Sequence, residues 1–219
     1  MPYPPILRSQ FATSSFANLP KFGIIISSNP PGDSISEIKP CRACNACHKK
    51  GVCPQKDGFN AIKDKILEAD GLILASPNYI FQVSAQLKTF LDRCGGAIHC
   101  QGFEGKYGAS VVTSGGGDEK EIAAYLNHFL LTTGAIPVGA VWATMGKIYG
   151  PDFPKPIRDR ASALGKKLVR AIETKAQASA SDRKEMARFR SRMRSLMLWR
   201  KDEWPYEYEY WKKHRGLKG

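Results

Sequence analysis

The sequence lacks several features that would assign it to other classes of protein. No apolar run approaches the ~20 residues of a membrane-spanning helix, and the longest, such as residues 71–76, are of strand length. No internal repeat is present. The first 20 residues contain no basic start followed by an unbroken apolar stretch, so they do not read as a secretory signal. We therefore expect a cytoplasmic protein with no membrane span.

The basic charge is concentrated in the C-terminal third. Residues 1–150 hold 14 Lys and Arg against 11 Asp and Glu, whereas residues 151–219 hold 19 against 9. Such a segment can form a patch for nucleic acid, an anionic membrane face or an acidic protein. We favour a solvated helix face, and the aromatic, mixed-charge stretch 204–216 is more typical of a packed tail than of a nucleic-acid platform. We therefore do not expect nucleic acid as a partner.

Short apolar runs alternate with helical patterns along the chain. The predicted strands are 22–27, 71–76, 107–113 and 136–143. The predicted helices are 60–69, 83–94, 118–131, 157–175 and 183–200. This alternation favours an α/β fold with a parallel sheet covered on both faces. We divide the chain into an atypical N-terminal segment (1–21), an α/β domain (22–176) and a basic helical and aromatic extension (177–219).

Four cysteines lie within 13 residues: Cys41, Cys44, Cys47 and Cys53 form a C-x2-C-x2-C-x5-C run that ends before Pro54. Three thiolates separated by two-residue gaps suit the corners of an iron–sulfur cubane better than zinc, which usually takes two separated pairs. We favour a [4Fe–4S] cluster; zinc and unliganded cysteines are the alternatives. A disulfide is not expected in a reducing compartment.

Two loops follow predicted strands where ligands bind in open parallel sheets, beyond the carboxyl ends. In the first, Pro77 stiffens the turn and Asn78 and Tyr79 offer hydrogen-bonding and stacking groups. The second is the SGGG stretch at 114–117, whose backbone can approach a planar ring closely. The pair of loops predicts a ligand site at this edge of the sheet.

Several stretches resemble one known family. Residues 68–94, EADGLILASPNYIFQVSAQLKTFLDRC, resemble the most recognisable part of the flavodoxin-like NADPH-dependent FMN reductases. Residues 38–57 are similar to the cysteine-rich insertion of the iron–sulfur flavoprotein branch, and 111–117 and 208–216 also resemble that branch. The resemblance implies a flavodoxin-like doubly wound parallel sheet carrying a cysteine-rich insertion at 41–57.

The resemblance also implies two cofactors and their ligands. FMN would be lined by Ser76, Pro77, Asn78, Tyr79, Ile80, Thr113, Ser114, Gly115 and Gly116. A [4Fe–4S] cluster would be held by Cys41, Cys44, Cys47 and Cys53. Relatives often form dimers or tetramers, so a homo-oligomer is expected by analogy.

The front of the chain departs from the family pattern by one missing strand–helix unit. Only 13 residues (28–40) separate the first strand from Cys41, about the minimum for a parallel crossover before its next strand begins. Residues 27–34 are either a degenerate phosphate loop with Ser27, Ser28 and Asn29 as donors, or the turn after the family's second strand. We prefer the second interpretation.

The expected function is that of a flavin-dependent oxidoreductase passing electrons between a reduced donor (NAD(P)H or a ferredoxin-like protein), FMN, the [4Fe–4S] cluster and an acceptor. The alternatives are an NAD(P)H-dependent FMN or quinone reductase without a cluster, and a non-enzymatic metal-binding or interaction protein that has lost FMN. No catalytic side chain is predicted. The four histidines stand in no motif and are expected at surfaces or in loops: His48, His99, His128 and His214.

Overall fold

The computed structural model describes residues 24–27, 35–148 and 152–218. The predictions for the segment 1–21 and for the loop 28–34 therefore lie outside the described residues. Within them, the α/β class predicted from the alternating pattern is confirmed.

Four parallel strands form the sheet, and a short fifth strand pairs with it antiparallel. The strands are β1 (Ile24–Ser27), β2 (Gly71–Tyr79), β3 (Gln82–Val83), β4 (Tyr107–Ser114) and β5 (Ile136–Thr144). The parallel order is β1-β2-β4-β5, and β3 folds back on the end of β2. We expected β2 to stop at Pro77, but it continues to Tyr79, because Pro77 and its neighbours still pair with β4 and β3.

Eight α-helices lie within the described residues. They are α1 (Ala46–Lys50), α2 (Phe59–Glu68), α3 (Ala85–Arg93), α4 (Gly95–His99), α5 (Glu119–Thr132), α6 (Lys155–Glu173), α7 (Ala180–Trp199) and α8 (Pro205–Arg215). Two 3₁₀ turns, Ile35–Glu37 and Met145–Lys147, complete the set. No helix in the described part of the chain is long and apolar enough to span a membrane.

The sheet is covered on both faces. On one face Leu72 and Leu74 of β2 belong to a core that includes residues of α2, α3 and α5. On the other face Leu168 and Ala171 of α6 pack with residues of β4 and β5. Alternation along β2 explains this, because successive side chains of a strand point to opposite faces.

The C-terminal extension has a small core of its own. Met193 and Met197 of α7 pack with Trp211 and Leu217, and Trp211 is only 1% exposed. These methionines of α7 therefore face α8, and the closing aromatic stretch is a packed helical tail.

The place of β1 bears on the loop that follows it. In a flavodoxin-like sheet of order 2-1-3-4-5, the first strand neighbours the third and the second lies at the edge. β1 pairs directly with β2, with Ile24 opposite Leu72 and Ser27 opposite Ala75. β1 of this chain thus takes the place of the family's first strand. This position does not support our preference for interpreting residues 27–34 as the turn after the family's second strand.

The core predicts a strong dependence of stability on Phe90. Its side chain is fully buried and its ring lies 5.7 Å from that of Phe59. Phe90→Ala should lower the free energy of unfolding by about 3–5 kcal/mol. Phe81→Ala is the matched control, since Phe81 is 73% exposed, and should change it by about 0.5 kcal/mol or less. Urea unfolding followed by circular dichroism measures both; equal losses would contradict this packing.

Candidate functional site

The two predicted loops leave the sheet side by side. The ends of β2 and β4 are paired in register, with Ser76 opposite Val112 and Pro77 opposite Thr113. The residues predicted to line one ligand, 76–80 and 113–116, therefore meet at the carboxyl edge of the sheet, where ligands of open α/β sheets bind.

Asn78 connects these two loops. Its side-chain amide donates to the Gly117 carbonyl at 2.9 Å and to the Ser114 hydroxyl at 3.4 Å. Ser114 Oγ in turn accepts the N–H groups of Gly116 and Gly117 at 3.2 and 3.0 Å and donates to the Gly117 carbonyl at 2.6 Å. The other amide atom, Asn78 Oδ1, is buried without a hydrogen-bond partner. A buried acceptor of this kind is costly unless a ligand or water satisfies it.

The surface beside Asn78 is open. A Cβ atom built on Gly115, Gly116 or Gly117 would meet nothing within 4 Å. The neighbouring apolar side chains of Ile80 and Phe81 are 89% and 73% exposed. Both residues have positive φ, 50° and 62°, which is strained for a β-branched isoleucine. Strain of this kind concentrates at ligand sites and switches.

Ser76 has a different position from its neighbours. Its side chain is buried, donates to the Pro77 carbonyl at 2.8 Å and accepts the Ser84 N–H at 2.9 Å. Ser84 is the N-cap of α3, where its hydroxyl accepts the Leu87 N–H. Ser76 thus ties the loop to the start of α3.

The cysteine-rich insertion at 41–57, here called the cysteine loop, lies against the C-terminal end of α3. Cys41 and Cys44 are exposed, while Cys47, on α1, and Cys53 are half-buried, and all four are free thiols. Cys47 and Cys53 line a cavity of about 140 Å³, together with Lys63, Arg93 and Glu207. Two of the four predicted ligands therefore face a space with cationic groups, and the other two are exposed to solvent.

The spacing of the sulfurs bears on the choice of metal. Four thiolates at ~2.3 Å from one zinc ion stand ~3.8 Å apart. In the described residues, which include all four cysteines of the run, no three of the sulfurs lie within 4.8 Å of one another. The sulfurs are therefore not gathered as they would be around one bound ion.

Arg93, the last residue of α3, joins the segments around the loop. Its guanidinium forms an ion pair with Asp57, donates to Cys53 Sγ at 3.0 Å and to the Lys39 carbonyl at 3.1 Å. It also lies 4.4 Å from the centre of the Phe59 ring. Burial alone would raise the pKa of Asp57, but hydrogen bonds from Arg93 and two backbone N–H groups outweigh it, so that pKa lies below its usual value. Sequence reasoning did not single out Arg93.

A buried cluster of two histidines and a glutamate borders the same cavity. Glu207 of α8 is fully buried, and its two carboxylate oxygens lie 2.6 Å from His48 Nδ1 and 3.0 Å from His99 Nδ1. Trp204 stacks on both imidazoles, with ring centres 4.5 and 5.0 Å away. The expectation that His48 and His99 are plain surface or loop residues is therefore wrong, because α8 covers them. Nothing local in the sequence links residues 159 and 108 positions apart.

The cluster has strongly shifted protonation. Burial alone would lower the pKa of His48, but hydrogen bonds with Cys47 and Glu207 raise it to about 10. Burial alone would raise the pKa of Glu207, but the two imidazoles lower it. A carboxylate and at least one imidazolium thus share this buried space.

The remaining two cysteines are buried. Cys94 and Cys100 are 1% and 6% exposed, and burial raises the pKa of both thiols. Cys94 packs in the main core as a small apolar side chain. Cys100 ends α4, and the Arg215 guanidinium donates a hydrogen bond to its carbonyl at 3.1 Å.

Several known proteins are similar to this chain. Residues 32–150 match the family described as NADPH-dependent FMN reductase. The chain is 36% identical over 180 residues to an iron–sulfur flavoprotein of Archaeoglobus fulgidus, covering 82% of this chain and 80% of that protein. It is 40% identical over 98 residues to an iron–sulfur flavoprotein of Methanocaldococcus jannaschii, covering 43% of this chain and 51% of that protein. A WrbA-like flavodoxin structure from Agrobacterium tumefaciens has 18% identity and a TM-score of 0.43 over 55% of this chain and 74% of that one.

The buried ion pair predicts a large effect of Arg93. Arg93→Met leaves Asp57 buried without its cation and should lower the free energy of unfolding by about 3–5 kcal/mol. Lys88→Met is the control on the same helix, because Lys88 pairs with Asp92 where both side chains are nearly half exposed. It should cost less than about 1 kcal/mol. Urea unfolding at neutral pH compares the two, and similar costs would contradict a structural role for Arg93.

The pair also fixes the sign of a pH effect. Because the folded-state pKa of Asp57 lies below its usual value, the stability it contributes is present above that usual value and is lost as pH falls through the folded-state pKa. The stability difference between the wild type and Asp57→Asn should therefore shrink below about pH 4.

Proposed function

The chain belongs to the NADPH-dependent FMN reductase family and, within it, to the iron–sulfur flavoproteins, and on that basis we propose that it carries electrons between FMN and a [4Fe–4S] cluster. Family membership makes it a flavin-dependent oxidoreductase with a flavodoxin-like fold. The cluster, the electron donor and the acceptor belong to the proposal. The observation that carries it is the folded loop with four free cysteines, two of them on a cavity lined by Lys63 and Arg93.

The loops at the carboxyl edge fit a flat, polar-edged ring. The buried, unpartnered Asn78 Oδ1 can accept a hydrogen bond from a ring N–H. The open loop at 115–117 allows the ring edge to approach the backbone, and the exposed Tyr79, Ile80 and Phe81 offer apolar cover. Bound there, FMN supplies exchange of electron pairs with a donor and of single electrons with the next carrier. The loop that would hold the phosphate, 28–34, lies outside the described residues.

The cysteine loop fits a cluster of several irons. Arg93 donates to Cys53 Sγ, and Lys63 lies on the same cavity. Cationic donors offset the negative charge that four thiolates bring to such a site and stabilise them as ligands. A [4Fe–4S] cluster held there supplies one-electron transfer.

One short helix joins the two sites. The first turn of α3 is bonded through Ser84 and Ser76 to residues 76–80, here called the ring loop. The last residue of α3, Arg93, contacts Cys53. α3 has nine residues, so it spans roughly 14 Å. The protein thereby holds both sites at a fixed separation on one rigid element. NAD(P)H or a ferredoxin-like protein is the proposed donor, and a homo-oligomer remains a prediction.

Cofactor analysis tests the proposal. Protein purified without oxygen should contain ~4 Fe and ~1 FMN per chain and absorb broadly near ~400 nm in addition to the flavin bands. The double variant Cys44→Ser, Cys47→Ser should lose the iron and keep the flavin, whereas Cys94→Ser should keep both. Iron with flavin absent would reject the flavin site, and flavin with iron absent would leave a plain flavin reductase.

Asn78 provides a test of the flavin site alone. Asn78→Ala removes the connection between the loops and the proposed acceptor for the ring, and should weaken FMN binding about 10-fold, as expected for roughly 1.4 kcal/mol. Quenching of flavin fluorescence on titration into apoprotein measures the affinity. Asn60→Ala is the control, because Asn60 bonds to the backbone of Cys53 on the cysteine loop. If both variants bind FMN as the wild type does, the ring does not contact Asn78.

A further inference from the structure

Glu207 has an unusual environment for a carboxylate. It is fully buried, and its described hydrogen bonds come from two imidazoles, one to each oxygen. Buried charges persist only where partners compensate them. The three residues come from three separate elements, α1, α4 and α8, so the carboxylate fixes those elements relative to one another.

Hydrogen bonding accounts for this cluster better than a bound ion does. Donor atoms ~2.1 Å from one tetrahedral ion stand roughly 3.4 Å apart. The observed separations of 2.6 and 3.0 Å are hydrogen-bond distances, and each oxygen faces one ring nitrogen.

The segment that Glu207 reaches has little support of its own. α1 has five residues, none of them buried, and a helix so short is marginal in isolation. Its second residue is Cys47 and its third is His48. The described contacts of α1 with another element are most extensive with α8.

Two other residues of α8 contact the cysteine loop and α4. The Tyr206 ring occupies the space that a side chain at Gly51 would fill, and Gly51 ends α1 with φ 75°. Trp211 Nε1 donates to the His99 carbonyl at 3.0 Å, which fixes the register of α8 on α4. The tail therefore lies over the cysteine loop in one defined arrangement.

We propose that Glu207 is a positioning residue for the cysteine centre: through His48 it holds α1 so that Cys47 keeps its place at the cavity. The C-terminal extension is then part of the metal site, although it contributes no ligand. This inference rests on the proposed cluster. It gives α8 a role in the metal site.

The test compares Glu207→Gln with Glu209→Gln, the same change on the same helix. Glu209 is exposed and pairs with Lys212. In protein loaded with iron, Glu207→Gln should speed iron loss to a chelator about 10- to 100-fold, the usual effect of removing an outer-shell partner. Glu209→Gln should behave as the wild type. Equal rates in the two variants would overturn the proposal.

A second measurement needs no cluster. In iron-free protein, mass spectrometry follows alkylation of Cys47 and of Cys41, which lies outside α1. Glu207→Gln and His48→Gln should each raise the rate per thiolate at Cys47 several-fold and leave Cys41 unchanged. The thiolate fraction is measured for each variant, because His48 bonds to Cys47. The double variant should add little, because both changes break one connection. Additive effects, or equal acceleration at both cysteines, would overturn the proposal.

The outcomes separate this inference from the proposed function. If the wild type contains no iron but Glu207→Gln still raises the alkylation rate of Cys47, the cluster is rejected, and the role of Glu207 in placing Cys47 is kept. A loaded cluster with no response in either measurement would reject the role of Glu207 alone. If Glu207→Gln does not fold, judged by circular dichroism, His48→Gln serves the same comparison. A last comparison uses protein in which the four loop cysteines are replaced by Ser. If this protein retains one equivalent of a divalent ion, and adding Glu207→Gln or His48→Gln removes the ion, the cluster of His48, His99 and Glu207 is a metal site and the proposal is overturned.

Discussion

The arrangement around the cysteines depends on one buried ion pair, between Arg93 and Asp57. Arg93 ends the helix that starts at the ring loop, and Asp57 closes the cysteine insertion, so the pair attaches a loop with few apolar contacts to the rigid α/β core. A buried pair of this kind adds little net stability compared with apolar packing, but breaking it leaves an uncompensated charge. Its role here is geometric: the same guanidinium reaches Cys53, Lys39 and Phe59, so the loop has one way to sit on α3.

The strands and the two loops at the carboxyl edge could be predicted from the sequence because their signals are local. The apolar run at 71–76 predicts a strand and the SGGG stretch at 114–117 predicts a loop, each from a few neighbouring residues. Parallel pairing then brings the loops after β2 and β4 to one edge of the sheet. The same holds for the C-x2-C-x2-C-x5-C spacing. What could not be predicted is how these parts are held. Glu207 lies 159 residues from His48 along the chain, and neither residue stands in a pattern that periodicity or spacing detects. The buried place of Cys100 likewise follows from α8, whose docking no local signal reports.

The excess basic charge of the C-terminal third has a partly internal explanation. Arg190 of α7 bonds to the Gln101 side chain at 2.7 Å and pairs with Glu104, and Arg215 of α8 pairs with Glu104 as well. Arg215 also donates to the carbonyls of Cys100 and Gln101 at 3.1 and 3.0 Å. Long cationic side chains with several donors suit this purpose, because the turn after α4 exposes carbonyl groups that its own short helix cannot satisfy. Our expectation of a solvated face holds for exposed α7 residues such as Arg188 and Arg192, but two arginines of the extension attach it to the domain.

These attachments place two distant segments around one cavity. α3 brings Arg93 from the ring loop, and α8 brings Glu207 from the tail. The insertion between them buries few apolar side chains of its own and has only a five-residue helix, so its cysteines must be fixed from outside by polar contacts. Polar contacts are directional, whereas apolar burial is not. A loop held by Arg93 on one side and by His48 and Glu207 on the other therefore keeps defined thiol positions without a core. The docking of α8 is therefore coupled to the position of α1 through the contact of Glu207 with His48.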